Sequence, residues 1–260
     1  MKPSPILVYH KVDSRFEFGI TRVTPDQFER HIAGLVRAGY QTVTLSALMN
    51  TPDRDDLVAI TFDDAYESVY INAFPVMEKY NAKSTSFVIT DFIGKINHWD
   101  VNLGWLRFRH MDEGQMLEMR AAGHEFASHT VTHENLLELR DEEVYYELAA
   151  SKETLESVLG TEVPYVAFPF GRFDRRIIDV SEQCGYNAGC VFTPYNHKTL
   201  EDDPRIIYRN GVYLTDTARS ILSKIRPGLP HHWHRLKQNI INFAAGGTIM
   251  VKSMSGKNNS

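Results

Sequence analysis

The sequence predicts one α/β domain over residues 1–260 that folds as a (β/α) barrel. Short runs of apolar and β-branched residues alternate along the chain with longer segments whose apolar residues recur at helical spacing. Such alternation is typical of βαβ units, in which helices cover a mostly parallel sheet. About seven units fit into this length, which is at the upper end for one hydrophobic core, and a barrel is therefore favoured over an open sheet.

The predicted strands are short, and each is bounded by turn residues or polar residues. They cover residues 6–9, 41–44, 57–62, 84–90, 124–128, 163–170, 187–192 and 205–212. The predicted helices alternate with them and cover residues 24–39, 66–79, 112–122, 141–159, 174–184 and 216–225. The tail from residue 227 onward has no clear pattern.

Helix-capping residues support several of these boundaries. Thr24 is a favourable N-cap residue, Pro25 suits the first helical position, and Gly39 ends the same helix. Gly123 and Gly160 end two later helices in the same way.

Composition argues against several classes of protein. Apolar residues make up 43% and charged residues 23%, which is not typical of a disordered chain. The net charge of -5 is not typical of a nucleic-acid-binding protein. Cys184 and Cys190 are too few for a disulfide framework. No run approaches the roughly 20 apolar residues of a membrane span. None of these properties predicts an oligomeric state.

The N-terminal apolar run, at residues 6–9, is shorter than the core of a signal peptide, which needs about 7–15 residues. We therefore expect a cytoplasmic location, although a piece of a longer exported protein would begin in a similar way.

Polar residues gather where the predicted strands end. They are His10, Asp63, Asp64, His129, His133, the run Phe170-Gly171-Arg172 and Arg209. Because the active sites of (β/α) barrels lie at the C-terminal ends of the strands, we expect these side chains to meet at one end of the domain. The set is rich in metal ligands and in acid–base groups.

Three of these residues have the pattern of a catalytic metal site. His129 and His133 are four residues apart just beyond a strand, and Asp64 follows another strand. Two histidines and one carboxylate give three protein ligands and leave a position open, as in catalytic zinc sites. Each part has a structural alternative, since an Asp pair also caps helices and paired histidines also pack in cores.

A divalent ion at this place would lower the pKa of a coordinated water and polarise a carbonyl oxygen. Asp63 would accept the proton of that water, and His10 would protonate a departing amine. Backbone N–H groups around the run Pro169-Phe170-Gly171 would bind the developing oxyanion. Together these parts indicate metal-assisted hydrolysis of an amide or ester.

Three segments resemble the first three motifs of the polysaccharide deacetylases, the family 4 carbohydrate esterases with a NodB-like domain. They are Thr61-Phe62-Asp63-Asp64, the pair His129 and His133 introduced by Ser128, and Ala167-Phe168-Pro169-Phe170-Gly171. The resemblance implies a distorted (β/α)7 barrel, with Asp63 as catalytic base and with three metal ligands, Asp64, His129 and His133. It further implies a divalent cofactor, zinc by default with cobalt or nickel as alternatives, and an N-acetylated sugar or polysaccharide as substrate.

The chain departs from the family motifs at three points. Ala65 stands where the first motif usually has glycine, and no arginine opens the third motif to orient the base. Arg205 and Arg209, on one predicted strand, are the candidates to replace that arginine, although arginines in strands more often form surface pairs. The late Leu-x-His motif that carries the general acid is also absent.

The start of the chain offers a substitute for this general acid. The run Ile6-Leu7-Val8-Tyr9-His10 resembles the permuted branch of the family, which includes poly-N-acetylglucosamine deacetylases. In that branch the acid histidine comes from the first strand, which implies this role for His10.

The motifs leave two other functions open. The same site could hydrolyse an amide or ester that is not a carbohydrate. The missing arginine is also compatible with a carbohydrate-binding or regulatory domain that retains the metal site and catalyses weakly.

Two further groups of residues have two interpretations each. A histidine cluster in the tail is either a second metal site or part of a mobile surface segment: His231, His232 and His234. Four residues of a long connection either stack on sugar rings above the barrel mouth or pack in the core: Trp99, Trp105, Phe108 and His110.

Overall fold

The computed structural model describes residues 5–15, 20–96, 107–192 and 203–226. These residues form a barrel of parallel strands surrounded by helices. The tail from residue 227, including His231, His232 and His234, lies outside the described residues, as do Trp99 and Trp105.

Seven parallel strands close the barrel. In chain order the strands of the structure are β1 (Ile6–Tyr9), β2 (Lys11–Val12), β3 (Arg22–Val23), β4 (Gln41–Val43), β5 (Leu57–Phe62), β6 (Ser84–Val88), β7 (Glu125–Ser128), β8 (Tyr165–Ala167), β9 (Ala188–Phe192) and β10 (Ile206–Gly211). The ring runs β1-β10-β9-β8-β7-β6-β5 and closes where β1 pairs with β5. β4 pairs with the first half of β5 as an additional strand, and β2 and β3 form a separate pair. This arrangement confirms the predicted distorted (β/α)7 barrel.

Helices cover the outside of the barrel. They are α1 (Pro25–Arg37), α2 (Leu45–Met49), α3 (Phe74–Lys79), α4 (Glu113–Ala121), α5 (Asp141–Leu159), α6 (Arg175–Gln183) and α7 (Ala218–Ile225). All except the five-residue α2 lie within predicted helical segments. None of the described helices is both long enough and apolar enough to span a bilayer.

The predicted caps of α1 and α5 are present. Thr24 Oγ1 accepts a hydrogen bond from the Gln27 N–H at 3.2 Å, and Pro25 occupies the first helical position. The bond satisfies one of the N–H groups that a helix N-terminus leaves without an intrahelical partner. Gly160 ends α5 with a φ of 62°, which glycine adopts without steric cost.

Two predicted elements are shorter in the structure. The predicted strand at 163–170 is reduced to β8 because Pro164 precedes it and Pro169 follows it, and proline cannot donate a hydrogen bond to a sheet. A 3-10 turn, Pro169–Gly171, comes directly after β8. The predicted helix at 66–79 begins as a π-helical turn, Val69–Ala73, and continues as α3, whose first turn contains Pro75.

The core has two layers, one between the barrel and the helices and one inside the barrel. The inner layer consists mainly of small or apolar residues of the strands, among them Ala59, Phe87, Ala127, Ala167, Cys190 and Ile207. Side chains alternate along a strand, so the inward face of β5 continues from Ala59 to Asp63. By the same alternation, His129 beyond β7 and Arg209 in β10 face the interior. The barrel therefore directs these polar groups toward its own axis.

Candidate active site

The structure brings the predicted carboxylates and histidines to the C-terminal ends of neighbouring strands. Asp63 and Asp64 follow β5, and His129 and His133 follow β7. In the ring, β5 and β7 are separated only by β6, so these two turns are close neighbours. His10 follows β1, which pairs directly with β5.

Asp64, His129 and His133 form a compact, buried group with the geometry of a metal site. Asp64 Oδ1 lies 3.5 Å from His129 Nε2 and 3.7 Å from His133 Nε2, and the three ligand atoms all lie within 4.8 Å of one another. Ligand atoms bound tetrahedrally to zinc at its usual bond lengths are about 3.4 Å apart. The spacing of these residues therefore fits a divalent ion with three protein ligands.

The orientation of His129 is fixed by a backbone contact. Its Nδ1 lies 2.8 Å from the carbonyl oxygen of Ala167, and because a carbonyl only accepts, Nδ1–H must donate. Nε2 then carries the lone pair and faces Asp64. Burial lowers the pKa of His129, although Asp63 opposes this, and the ring is held neutral, as a metal ligand requires.

The turns that carry the ligands have strained backbone. Asp64 and Ala65 have φ values of 69° and 49°, and Thr130 and His133 have values of 67° and 61°. The left-handed region costs residues other than glycine roughly 1–2 kcal/mol each. The position of Ala65, where the family motif usually has glycine, is thus one where the backbone itself favours glycine. Backbone strain of this kind is typical of functional sites, where contacts with the surrounding residues hold the chain in an unfavourable conformation.

Asp63 forms a buried bidentate ion pair with Arg209. Arg209 Nη1 lies 2.7 Å from Asp63 Oδ1, and Nη2 lies 2.9 Å from Oδ2. The two side chains are 2% and 1% exposed. Burial raises the pKa of Asp63, but the charge and the hydrogen bonds of Arg209 outweigh it and hold the pKa below its usual value. Asp63 is therefore an ionised carboxylate in a fixed orientation at neutral pH.

The structure separates the two arginines that the sequence offers as partners of the base. Arg209 contacts Asp63, and its Nη1 also lies 3.2 Å from Thr61 Oγ1. Arg205 precedes β10 and instead pairs with three acidic side chains at the surface: Asp203, Asp179 and Glu182. Of the two, only Arg209 reaches Asp63, the predicted base.

His10 lies within the electrostatic reach of this group. Burial lowers the pKa of His10 to about 4, while the charge of Asp63 acts in the opposite direction. Its Nδ1 is buried and has no hydrogen-bond partner among the described residues. The ring lies parallel to that of Phe192, at a centroid distance of 6.2 Å and an angle of 2°.

The turn Pro169–Gly171 lies against the metal-ligand group, since the Phe170 ring is 4.7 Å from that of His133. Within the turn, the Gly171 N–H donates to Phe168 O at 2.9 Å and the Arg172 N–H donates to Pro169 O at 3.1 Å. Neither donor is available to a ligand. Pro169 has no N–H, so the Phe170 N–H is the remaining donor that this turn can offer.

Several residues at the site are absent from the sequence prediction. Phe192 ends β9 and lies close to the turn after β8. A Cβ atom added to Gly171 would be only 3.0 Å from Phe192 Cδ2, so the Phe192 ring leaves no room for a side chain at that position. The argument from strand ends considers polar residues and so passes over Phe192. Glu147 of α5 bonds to the loop between the two histidines, and no spacing in the sequence marks it.

Phe108 and His110 are buried, with 1% and 2% exposed, which matches the core-packing interpretation of that segment. His110 Nδ1 lies 2.7 Å from Asp64 O and so contacts the backbone of the strained first turn.

Comparisons with known proteins agree with this geometry. The family model described as polysaccharide deacetylase matches residues 50–189, more than half of the 260 residues. The matched segment contains Asp63 and the three residues of the metal-ligand group, whereas His10 and Arg209 lie outside it.

Two curated relatives extend the comparison. YxkH of Bacillus subtilis (strain 168), whose name places it among the polysaccharide deacetylases, is 33% identical over 195 residues, or 73% of this chain and 64% of YxkH. A poly-beta-1,6-N-acetyl-D-glucosamine N-deacetylase of Staphylococcus aureus (strain MRSA252) is 25% identical over 182 residues, or 64% of this chain and 60% of that protein. The chain thus spans less than two thirds of the length of either relative.

The fold has a close counterpart among solved structures. The deacetylase PplD of Streptococcus pyogenes, solved in complex with acetate, superposes with a TM-score of 0.74 at 23% identity. The superposition covers 86% of this chain and 98% of PplD, and at this identity it supports the fold alone. The family match, however, includes the motifs on which the sequence resemblance rests. The chain belongs to the polysaccharide deacetylase family.

Proposed function

We propose that this protein is a metal-dependent hydrolase that removes the N-acetyl group from an amino sugar or polysaccharide. The observation that carries the proposal is the juxtaposition of two buried groups. One is the ion pair of Asp63 with Arg209, and the other is the three-ligand cluster next to it. A fixed base beside a metal site with an open position is an arrangement suited to metal-assisted hydrolysis of an amide.

Asp64, His129 and His133 would hold the ion, with zinc as the default and cobalt or nickel as alternatives. When bound, a divalent ion there would polarise the acetyl carbonyl and lower the pKa of water. The hydrogen bond from His129 Nδ1 to Ala167 O keeps the ligand nitrogen of that ring aimed at the site.

Asp63 would act as the general base. It is ionised, it makes no ligand contact in the cluster, and both of its oxygens are held by Arg209. A carboxylate fixed in this way accepts a proton from the attacking water without first reorienting. Arg209 would therefore do from β10 what an arginine of the third motif usually does in the family.

The developing negative charge on the acetyl oxygen needs a hydrogen-bond donor, and we assign the Phe170 N–H to this role. The run Pro169-Phe170-Gly171 lies against His133, and Phe170 is held at a φ of 59°. Such a preorganised backbone donor binds an oxyanion with little reorganisation.

His10 would donate the proton that the departing amine requires. Because burial holds its pKa at about 4, the ring is neutral at pH 7. His10 would therefore first accept a proton, from solvent or from Asp63 after that base has taken it from water, and would then pass it to the amine nitrogen. His10 as a residue is only partly buried, and its Nδ1, which has no hydrogen-bond partner among the described residues, is a nitrogen that a substrate group could contact.

The relatives support a carbohydrate as the substrate. The Staphylococcus aureus relative is named for poly-beta-1,6-N-acetyl-D-glucosamine, and a β-1,6-linked N-acetylglucosamine polymer is therefore the first substrate to test. The alternative of a weakly catalytic carbohydrate-binding or regulatory domain rests on the missing arginine, and the contact of Arg209 with Asp63 weakens it. A cytoplasmic location stays a prediction from the sequence.

Acetate release from β-1,6-linked N-acetylglucosamine oligomers, measured with added zinc or cobalt, tests the proposal. Asp63→Asn removes the base, and we expect acetate release to fall by roughly 100-fold or more. Asp56→Asn is the matched control, since the Asp56 side chain is about half exposed and pairs with Arg54 at the surface. Release of acetate only from esters or non-sugar amides would favour the alternative hydrolase. No metal-dependent acetate release from any of these compounds would refute the proposal.

A further inference from the structure

The loop between the two histidine ligands is held by a buried carboxylate of α5. Glu147 Oε2 accepts hydrogen bonds from the N–H groups of Val131 at 2.8 Å and Thr132 at 2.9 Å. Glu147 Oε1 accepts a third bond from the Thr132 hydroxyl at 2.7 Å. Glu147 is only 5% exposed. Its carboxylate thus binds the two residues at the centre of the segment that joins His129 to His133.

These contacts define the charge of the group. All three partners donate, so the carboxylate acts only as an acceptor, which is the behaviour of its ionised form. None of the three partners carries a positive charge. Because these three donors are neutral, the buried carboxylate brings an uncompensated negative charge to the loop, and a nearby dication would be stabilised by it.

The loop requires such support because its backbone is strained. Thr130 and His133 both lie in the left-handed region, with φ values of 67° and 61°. Within the loop, the His133 N–H donates to Thr130 Oγ1 at 3.2 Å. One helical turn beyond Glu147, Ser151 Oγ lies 2.8 Å from Ser128 Oγ, at the end of β7. α5 therefore contacts this turn at two points, and Glu147 is the one between the ligands.

We propose that Glu147 is a positioning residue for metal binding. Its ionised carboxylate fixes the peptide groups of Val131 and Thr132, so that His129 and His133 face Asp64 together, and its charge increases the affinity of the site for a divalent cation. This inference rests on the proposed metal site. It gives α5 a role in that site that the segment carrying the two histidines does not reveal.

The chain contains a matched control on the same helix. Glu156 also accepts a backbone hydrogen bond, from Val163 N–H at 3.0 Å, and it pairs with Lys152 at 2.9 Å. Val163 lies before β8, at the opposite end of the barrel from the ligands. Glu156→Gln therefore makes the same chemical change on α5 without touching the ligand loop.

The experiment is a titration of the metal-free full chain with Zn²⁺ and Co²⁺. Affinity is measured by competition with a chromophoric chelator, and the ligand geometry is followed by the visible absorption of Co²⁺. Glu147→Gln retains an oxygen acceptor but removes the charge, and we expect affinity to fall roughly 10–100-fold with an altered Co²⁺ spectrum. Glu156→Gln should leave both unchanged. Thr132→Val should lower affinity, and Thr132→Ser, which restores a hydroxyl, should recover it.

Each outcome decides a separate point. If the wild type binds metal and folded Glu147→Gln binds it equally well, with the same Co²⁺ spectrum, the positioning role is wrong and the proposed function stands. If the wild type binds neither ion, the proposed function fails and this inference fails with it. If Glu147→Gln does not fold, the Thr132 variants decide, and wild-type affinity in Thr132→Val overturns the positioning role.

Discussion

Asp63 and Arg209 are the pair of residues on which the proposed chemistry of the site depends. Each is almost fully buried, so the cost of desolvating both charges is offset only while the bidentate contact is intact. The guanidinium is further held by the Phe87 ring, 4.7 Å away. The pair therefore keeps the carboxylate of Asp63, the proposed base, ionised.

Arg209→Lys should lower kcat/KM for acetate release by roughly 10–100-fold, because a lysine cannot hold both carboxylate oxygens. Since Arg209 lowers the pKa of Asp63, a weaker partner lets that pKa rise, and the acidic limb of the pH profile should move to higher pH. Arg205→Lys is the control, because Arg205 pairs with surface carboxylates. An unchanged pH profile in Arg209→Lys would show that Arg209 does not set the protonation of the base.

Sequence spacing identifies some residues of the site better than others. The Asp pair and the two histidines are visible because each lies at a strand end and carries its chemistry in its own short segment. Arg209 is visible only as one of two arginines, because which of them reaches Asp63 depends on the closure of the barrel. Glu147 is not visible at all, since it lies on a helix and contacts the site only through tertiary structure.

At the scale of elements, the predictions succeed where local signals are strong. α5 has the predicted bounds, Asp141–Leu159, because its apolar spacing is long and Gly160 provides a left-handed C-cap. β5 likewise has its predicted bounds, since six consecutive buried residues end at the Asp pair.

Other elements depend on signals that are too short or too distant for sequence analysis. α2 has only five residues, which is not enough to show a helical period, although Thr44 caps it. The prolines on either side of β8 shorten it, and the residues that follow form the turn Pro169–Gly171, beside the candidate site, rather than the end of a strand. β4 pairs with β5 but does not join the closed ring, a distinction that no local pattern contains.

At the scale of the whole molecule, ring closure assembles the site. β10 pairs with β1 and β1 pairs with β5, so residues from the end of the described chain lie near those that follow β5. Arg209 and His10 therefore reach Asp63 from two strands that are far apart in sequence. The fold class predicts that the polar groups share one end of the barrel, but not which strand faces which.

The stability of the whole barrel should depend on pH through its buried histidines. Burial, together with the charge of Lys83, lowers the pKa of His124 to about 4, and burial does the same for His10. The unfolded chain takes up a proton at each histidine below its ordinary pKa of about 6.5, whereas the folded protein does so only near pH 4. The contribution of these histidines to the free energy of unfolding is therefore fully present above pH 6.5 and is lost as the pH drops toward 4.

For His124 this loss amounts to about 3 kcal/mol between those pH values. Urea unfolding of wild type and His124→Asn at several pH values measures it. Asn can keep a hydrogen bond to Ser84 Oγ, which lies 2.9 Å from His124 Nδ1. We expect a shallower pH dependence in the variant, and identical slopes in the two proteins would contradict the buried neutral state of His124.

The central claim is that a divalent ion held by Asp64, His129 and His133 makes this barrel a deacetylase. The most direct measurement is acetate release from β-1,6-linked N-acetylglucosamine oligomers by chelator-treated protein of known metal content, before and after one equivalent of zinc. We predict a loss of about 100-fold or more on metal removal, and recovery with zinc in the wild type but not in Asp64→Ala. Acetate release that persists undiminished in metal-free protein would contradict the claim.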